Sequence, residues 1–144
     1  MAVTVKKATL WRADVANQPG VLAGVLEPLA AAGANLRVVM GYAMGDSGRA
    51  AIEVFPIAGK KAVQAATAAG LGASPIPCLL VEGDDRGGLG AAMARAIADA
   101  GVNISFLVAE TVGRKFSAVF GLQNEADAST ATKAIKAAAK PRKR

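Results

Sequence analysis

Asn17-Gln18-Pro19-Gly20-Val21-Leu22, followed by Ala32-Gly33-Ala34-Asn35-Leu36, decides the reading of this chain, because both pieces return 68 positions later. Asn17, Pro19, Gly20 and Val21 fall on Asp85, Gly87, Gly88 and Leu89. Ala32, Gly33, Asn35 and Leu36 fall on Ala100, Gly101, Asn103 and Ile104, while Val25 and Leu29 between them fall on Met93 and Ile97. Self-similarity at a fixed period marks repeated copies of one supersecondary unit.

Working outward, Thr9 to Val15 carries β-formers in loose alternation and reads as a strand ending near Asp14. Asn17 offers a short side-chain oxygen at a helix entrance, and Pro19 suits a first helical turn. Val21, Leu22, Val25, Leu26 and Leu29 then mark one face of a helix, which Pro28 is expected to kink and Gly33 to stop. Asn35 to Met44 reads as a strand with Leu36, Val38 and Met40 on one face. Gly45-Asp46-Ser47-Gly48 is a turn, and Arg49 to Pro56 returns. Lys60 to Ala69 favours helix, closed by Gly70, and Leu71 to Pro77 is either a brief fourth strand or a linker.

The second copy repeats this order. Strands are expected over Cys78 to Glu82, Asn103 to Thr111 and Phe116 to Leu122, with helices over Gly88 to Ala100 and Asp127 to Ala139, the last capped by Asp127. No sequence is left for a fourth strand there. Val3 to Val5 is therefore expected to pair with the second copy. Strand–helix–strand–hairpin–helix, twice, gives an α+β fold: two ferredoxin-like βαββαβ repeats, each an antiparallel sheet with helices on one face. The boundaries so read are 1–73 for the first repeat, 74–140 for the second and 141–144 for a basic tail.

Composition narrows the chemistry. With 53% apolar residues the chain has a core to bury, and no apolar run is long enough to span a membrane. The start of the chain does not resemble a secretory signal. Cys78 is the single cysteine, which excludes a disulfide framework and fits a reduced, cytoplasmic setting; beside Leu79-Leu80-Val81 it reads as a buried small hydrophobe. The net charge of +6 is local. Lys133, Lys136, Lys140, Arg142, Lys143 and Arg144 are six of the 17 basic residues, and the other 11 are balanced by the 11 acidic ones. A solvated terminus explains this, an arm touching phosphates or an acidic partner being the sharper alternative.

Catalytic machinery is not expected. There is no histidine, so no imidazole base, nucleophilic triad or histidine metal ligand. No phosphate-binding Gly-x4-Gly-Lys-Ser/Thr run occurs. Gly88-Leu89-Gly90 lacks a third glycine at Met93 and leads into a hairpin rather than a crossover, unlike a dinucleotide fingerprint. Glu82, Asp84 and Asp85 could hold a cation, although a solvated loop is the commoner arrangement. No cofactor is expected.

Binding is the chemistry that remains. A strand that ends in a glycine turn and feeds a helix leaves backbone N–H groups pointing outward, where the helix dipole favours an anion such as a carboxylate. Gly20 and Gly88 would let a ligand approach closely. Asn17 and Asn35 each offer donors and acceptors, able to serve a carboxylate and an ammonium together. As the bland alternative, Asn17 is a helix cap and Asn35 a turn residue.

The Asn17 to Leu22 and Ala32 to Leu36 pieces resemble the ACT domain, a family of βαββαβ modules that bind amino acids and regulate metabolic enzymes. The resemblance spans about residues 6–139. It implies ligand contacts by Asn17, Pro19, Gly20, Val21, Leu22 and Asn35 in the first copy, and by Asp85, Gly87, Gly88, Leu89 and Asn103 in the second. In serine-binding members the two asparagines act from opposite sides of an interface between modules, which would set Asn17 against Asn103 and Asp85 against Asn35, within a chain or across a homodimer. A ligand-contacting histidine of those members corresponds to Val15. Asp85, in place of asparagine, would accept from an ammonium and repel a carboxylate.

The function implied is a stand-alone sensor of a small amino acid that regulates a metabolic enzyme or its transcription. The alternatives are an ACT assembly module that binds no ligand, and a nucleic-acid-binding module using the basic tail. The last is disfavoured because Trp11, Tyr42, Phe106 and Phe116 are scattered over several strands.

Overall fold

A computed structural model describes residues 3–140; the basic tail at 141–144 lies outside them. The chain divides into two compact units. Thr9–Pro75 form one, and the segments before and after it form the other.

In the Thr9–Pro75 unit the elements are β2 (Trp11–Ala16), α1 (Val21–Ala31), β3 (Val38–Ala43), β4 (Arg49–Phe55), α2 (Lys60–Ala68) and β5 (Gly72–Ala73). The other unit holds β1 (Thr4–Ala8), β6 (Cys78–Asp84), α3 (Leu89–Asp99), β7 (Phe106–Val112), β8 (Lys115–Gly121) and α4 (Glu125–Ala138). Each unit is a four-stranded antiparallel sheet with two helices, so the fold is α+β and built of two ferredoxin-like repeats.

Strand order runs β5-β2-β4-β3 in one sheet and β1-β6-β8-β7 in the other. The two orders superpose element for element, except that β1 occupies the place β5 holds in its own sheet. Thr4–Ala8 pairs antiparallel with Cys78–Glu82, as the missing fourth strand led us to expect. The segment before β6 also resolves: Gly72–Ala73 is a brief strand beside Trp11 and Arg12.

Cores follow the alternation of the strands. Ala13, Ile52 and Val54 pack with Val25, Leu29, Ala66 and Leu71 in one unit; Leu79, Val81, Phe116 and Phe120 pack with Met93, Ile97, Ala131 and Ile135 in the other. Full burial of each large aliphatic or aromatic chain contributes about 1.5–3 kcal/mol. Alanine lines the helix contacts, which keeps the helices close on the sheets.

Three local expectations are corrected. Gly20, not Asn17, is the N-cap of α1, and Pro19 lies in the turn ahead of the helix rather than in its first turn. Leu36 does not share a face with Val38 and Met40: it precedes β3 and packs into the helix-covered core, whereas Met40 pairs with Glu53 on the opposite face. Finally, α4 begins at Glu125, and Asn124 caps it by accepting from the Asp127 N–H at 2.8 Å. Asp127 sits in the first turn instead, where a carboxylate complements the helix dipole.

The repeat is not of constant period. Up to the hairpin the offset is 68, but β4 and β8 correspond at an offset of 66, because the turn before β8 is two residues shorter. Turn length changes there without disturbing either strand, since the register on both sides is set by sheet pairing.

Candidate functional site

The duplicated loops are built alike. At the end of β2 the Asn17 N–H donates to Gly48 O at 2.9 Å, and at the end of β6 the Asp85 N–H donates to Arg114 O at 2.8 Å. Each tie pins the loop to the turn residue just before the return strand. The chain then turns through Gly20, φ 90°, and Gly88, φ 81°. Only glycine enters this left-handed region freely, which explains the residue type at both positions. No side chain caps either helix. The first helical bonds are Gly24 N–H to Gly20 O and Ala92 N–H to Gly88 O, both 2.9 Å. The N–H groups of Leu22 and Ala23, like those of Gly90 and Ala91, stand ahead of any intrahelical acceptor and carry the positive end of the dipole.

Gln18 to Gly20, Asn17, Asp85, Gly87 and Gly88 are exposed, and a side chain added at Gly20, Gly87 or Gly88 would meet nothing within 4 Å. The loops are therefore open to solvent. Val21 is half-buried and Leu22 exposed, whereas Leu89 is a core residue packed beside Met93.

Asn35 and Asn103 also occupy equivalent places. Gly33 and Gly101 adopt positive φ, and Ala34 N–H donates to Leu29 O at 3.0 Å while Val102 N–H donates to Ile97 O at 3.2 Å. This wraps the helix end and fixes where the next residue emerges. Both asparagines are exposed, three residues before β3 and β7, rather than inside a strand. Eleven residues of helix separate the Asn17 end of α1 from its Asn35 end, a length of about 16 Å. One unit therefore does not bring its own two loop residues together on a small ligand.

The second loop carries a tether the sequence did not announce. Arg86 Nη2 donates to Ala138 O at 2.9 Å and Nη1 to Lys140 O at 3.4 Å, supplying acceptor-bound donors at the C-terminal end of α4. Gln18 stands at this position in the first copy.

The acids near this loop are accounted for differently. Asp84 lies opposite Lys115 in the β6–β8 ladder and is bonded to it; that bond and the ammonium charge hold its carboxyl below 3.8. Glu82 lines a shallow cleft of about 180 Å³ with Glu110, Lys115 and Ser117. Among the described residues no group of three His, Cys, Asp or Glu side chains could hold a metal ion. None of their helices is long and apolar enough to cross a membrane.

Neither a protein-family model nor a curated protein matches the chain. Solved structures share its fold. The ligand-free regulatory subunit of aspartate kinase from Thermus thermophilus is 22% identical with a TM-score of 0.64, over 96% of this chain and 97% of that one. Protein BT0572 from Bacteroides thetaiotaomicron is 17% identical with a TM-score of 0.69, over 91% and 88%. A putative C-terminal regulatory domain of aspartate kinase from Porphyromonas gingivalis W83 is 13% identical with a TM-score of 0.56, over 96% of each. The tandem-repeat fold is thus that of known regulatory subunits and domains.

Proposed function

We propose that this protein is a non-catalytic regulatory subunit that binds a small amino acid at its duplicated loops and acts on a metabolic enzyme. The observation that carries this reading is the pair of open glycine turns, with no side chain capping the helix that follows. Their free N–H groups suit a carboxylate, and the neighbouring Asn17 or Asp85 suits an ammonium. Because α1 separates Asn17 from Asn35, the two asparagines of one repeat do not share a single small ligand. The fold shared with aspartate kinase regulatory subunits over nearly their whole length supports the regulatory assignment. Enzymes of amino-acid biosynthesis are the partner class it favours.

A thermal-unfolding screen against the twenty amino acids tests the proposal. A ligand that binds only the folded chain at a hundredfold excess over its Kd adds about 2.7 kcal/mol. One or two small amino acids should raise Tm, and Asn17→Ala should reduce the effect while leaving the circular dichroism spectrum unchanged. A flat response rejects the sensor and leaves an assembly module. That second reading has one observation in its favour: the edge strands β3 and β7 expose Val39, Tyr42, Leu107, Val108 and Val112, a surface suited to pairing with a further copy.

A further inference from the structure

Glu53 stands in the middle of β4, between Ile52 and Val54, and none of its surface is exposed. The ladder sets it directly opposite Arg12 on β2 and Met40 on β3. Its neighbours Ile52 and Val54 pack under α1, so Glu53 lies on the face of the sheet turned away from that helix. Oε2 accepts from the Tyr42 hydroxyl at 2.8 Å, and Oε1 has no hydrogen-bond partner among the described residues. A buried carboxylate oxygen left bare is costly, and native proteins leave few.

Arg12, although opposite, does not relieve it. Its Nη1 reaches the Tyr42 hydroxyl at 3.5 Å and its Nη2 the Met44 sulfur at 3.3 Å, both weak contacts. The second repeat provides an internal control. Leu80 and Val119 face each other in its sheet at the positions of Arg12 and Glu53. The same architecture is therefore built with an apolar pair, and the fold itself has no need of a carboxylate there.

We propose that Glu53, Tyr42 and Arg12 form a binding site for a primary ammonium group, which donates to Glu53 Oε1. Such a group supplies both what the oxygen lacks: an N–H donor and a positive charge. Tyr42 holds Oε2 and so leaves Oε1 to the ligand. It is also the entrance: it belongs to the edge strand β3, is 43% exposed, and its hydroxyl reaches inward to the carboxylate. Met40 lies directly opposite Glu53 on β3, and an apolar neighbour of this kind strengthens a charge-assisted bond. A divalent metal is a poorer fit, since it needs several oxygen ligands and Glu53 is the single carboxylate of the cluster. Arg12 contacts Tyr42 and Met44, and its charge opposes any cation here, a doubly charged one most. The inference is independent of the loop reading.

The test is thermal unfolding of the full chain in methylammonium chloride, with tetramethylammonium chloride and sodium chloride at equal ionic strength as controls. Methylammonium alone should raise Tm and saturate, because tetramethylammonium has no N–H to donate. Glu53→Val, the residue the second repeat uses, should fold and lose the shift, and Tyr42→Phe should weaken it. Asn17→Ala should keep it, which separates this site from the loops. In the unaltered protein the Glu53 carboxyl carbon resonance should move with methylammonium and stay still with tetramethylammonium, a readout that needs no variant to fold. No shift, a shift matched by either control salt, one shared by Glu53→Val, or an unmoved Glu53 resonance overturns the proposal.

Discussion

Asn17 and Asp85 hold the same place in the two repeats: each donates its backbone N–H to the turn residue just before the return strand, Gly48 at 2.9 Å and Arg114 at 2.8 Å. The backbone is thus equivalent while the side chain changes from a neutral amide to a carboxylate. If the loops receive an amino-acid carboxylate, Asp85 repels it and Asn17 does not. We therefore expect Asp85→Asn to tighten binding at the second loop by about tenfold, or ~1.4 kcal/mol, and Asn17→Asp to weaken it at the first. Calorimetric titration with the amino acid found in the screen checks both. Equal affinities for all three chains would count against a carboxylate at these loops.

Gly121 is required for a different reason from the loop glycines. It pairs with Phe106 across the β7–β8 ladder, and an added Cβ would collide with the Phe106 ring. Gly121→Ala should destabilise by roughly 1–3 kcal/mol, the range for overpacking a filled site. Phe106→Ala in the same chain should recover part of that loss, since the two residues share one space and their effects cannot add. Denaturant unfolding of the single and double variants measures the coupling.

Tyr42 is the sole tyrosine, so tyrosinate absorbance reports one group. Burial, the bond to Glu53 and the Glu53 charge all push its pKa above 10.0. A raised folded-state value means that folding favours the neutral phenol. The associated stability is complete below 10.0 and is lost as pH rises through the folded-state pKa. The titration midpoint should lie above 10.0 and fall back toward it in Glu53→Gln.

Asp84 has the opposite sign. Its bond to Lys115 depresses the carboxyl below 3.8, so the contribution is present above that value and lost as pH falls through the lower folded-state pKa. Its midpoint, followed by NMR, should return toward 3.8 in Lys115→Ala and in high salt, which screens an exposed pair. Overall stability should change little, because water screens a pair exposed on both sides.

What the sequence determined by itself was the duplication and everything local to it. Pro-Gly or Gly-Gly ahead of an apolar helical stripe, and Ala-Gly-x-Asn behind it, encode turns through short-range steric rules, so the two loops, the helix ends at Gly33 and Gly101 and the order of elements were legible along the chain. Asn17 could be placed in the first loop but not in its role, because whether Asn17 or Gly20 caps α1 depends on where the helix begins by one turn. Tertiary structure alone decided the rest. Met40 and Leu36 part company because register across β3 and β4, not spacing along the chain, assigns a face. Counting strands already assigned Val3 to Val5 to the second repeat, but its register, Thr4–Ala8 against Cys78–Glu82, was fixed only by the unpaired edge of that sheet, whose backbone groups need partners. Glu53 stood in view as a lone charge within Ala50-Ala51-Ile52-Glu53-Val54-Phe55, yet alternation places it on a face without saying whether that face is wet. Only the packed strands show that it is buried with one oxygen bare, since burial and satisfaction are properties of neighbours brought together by folding.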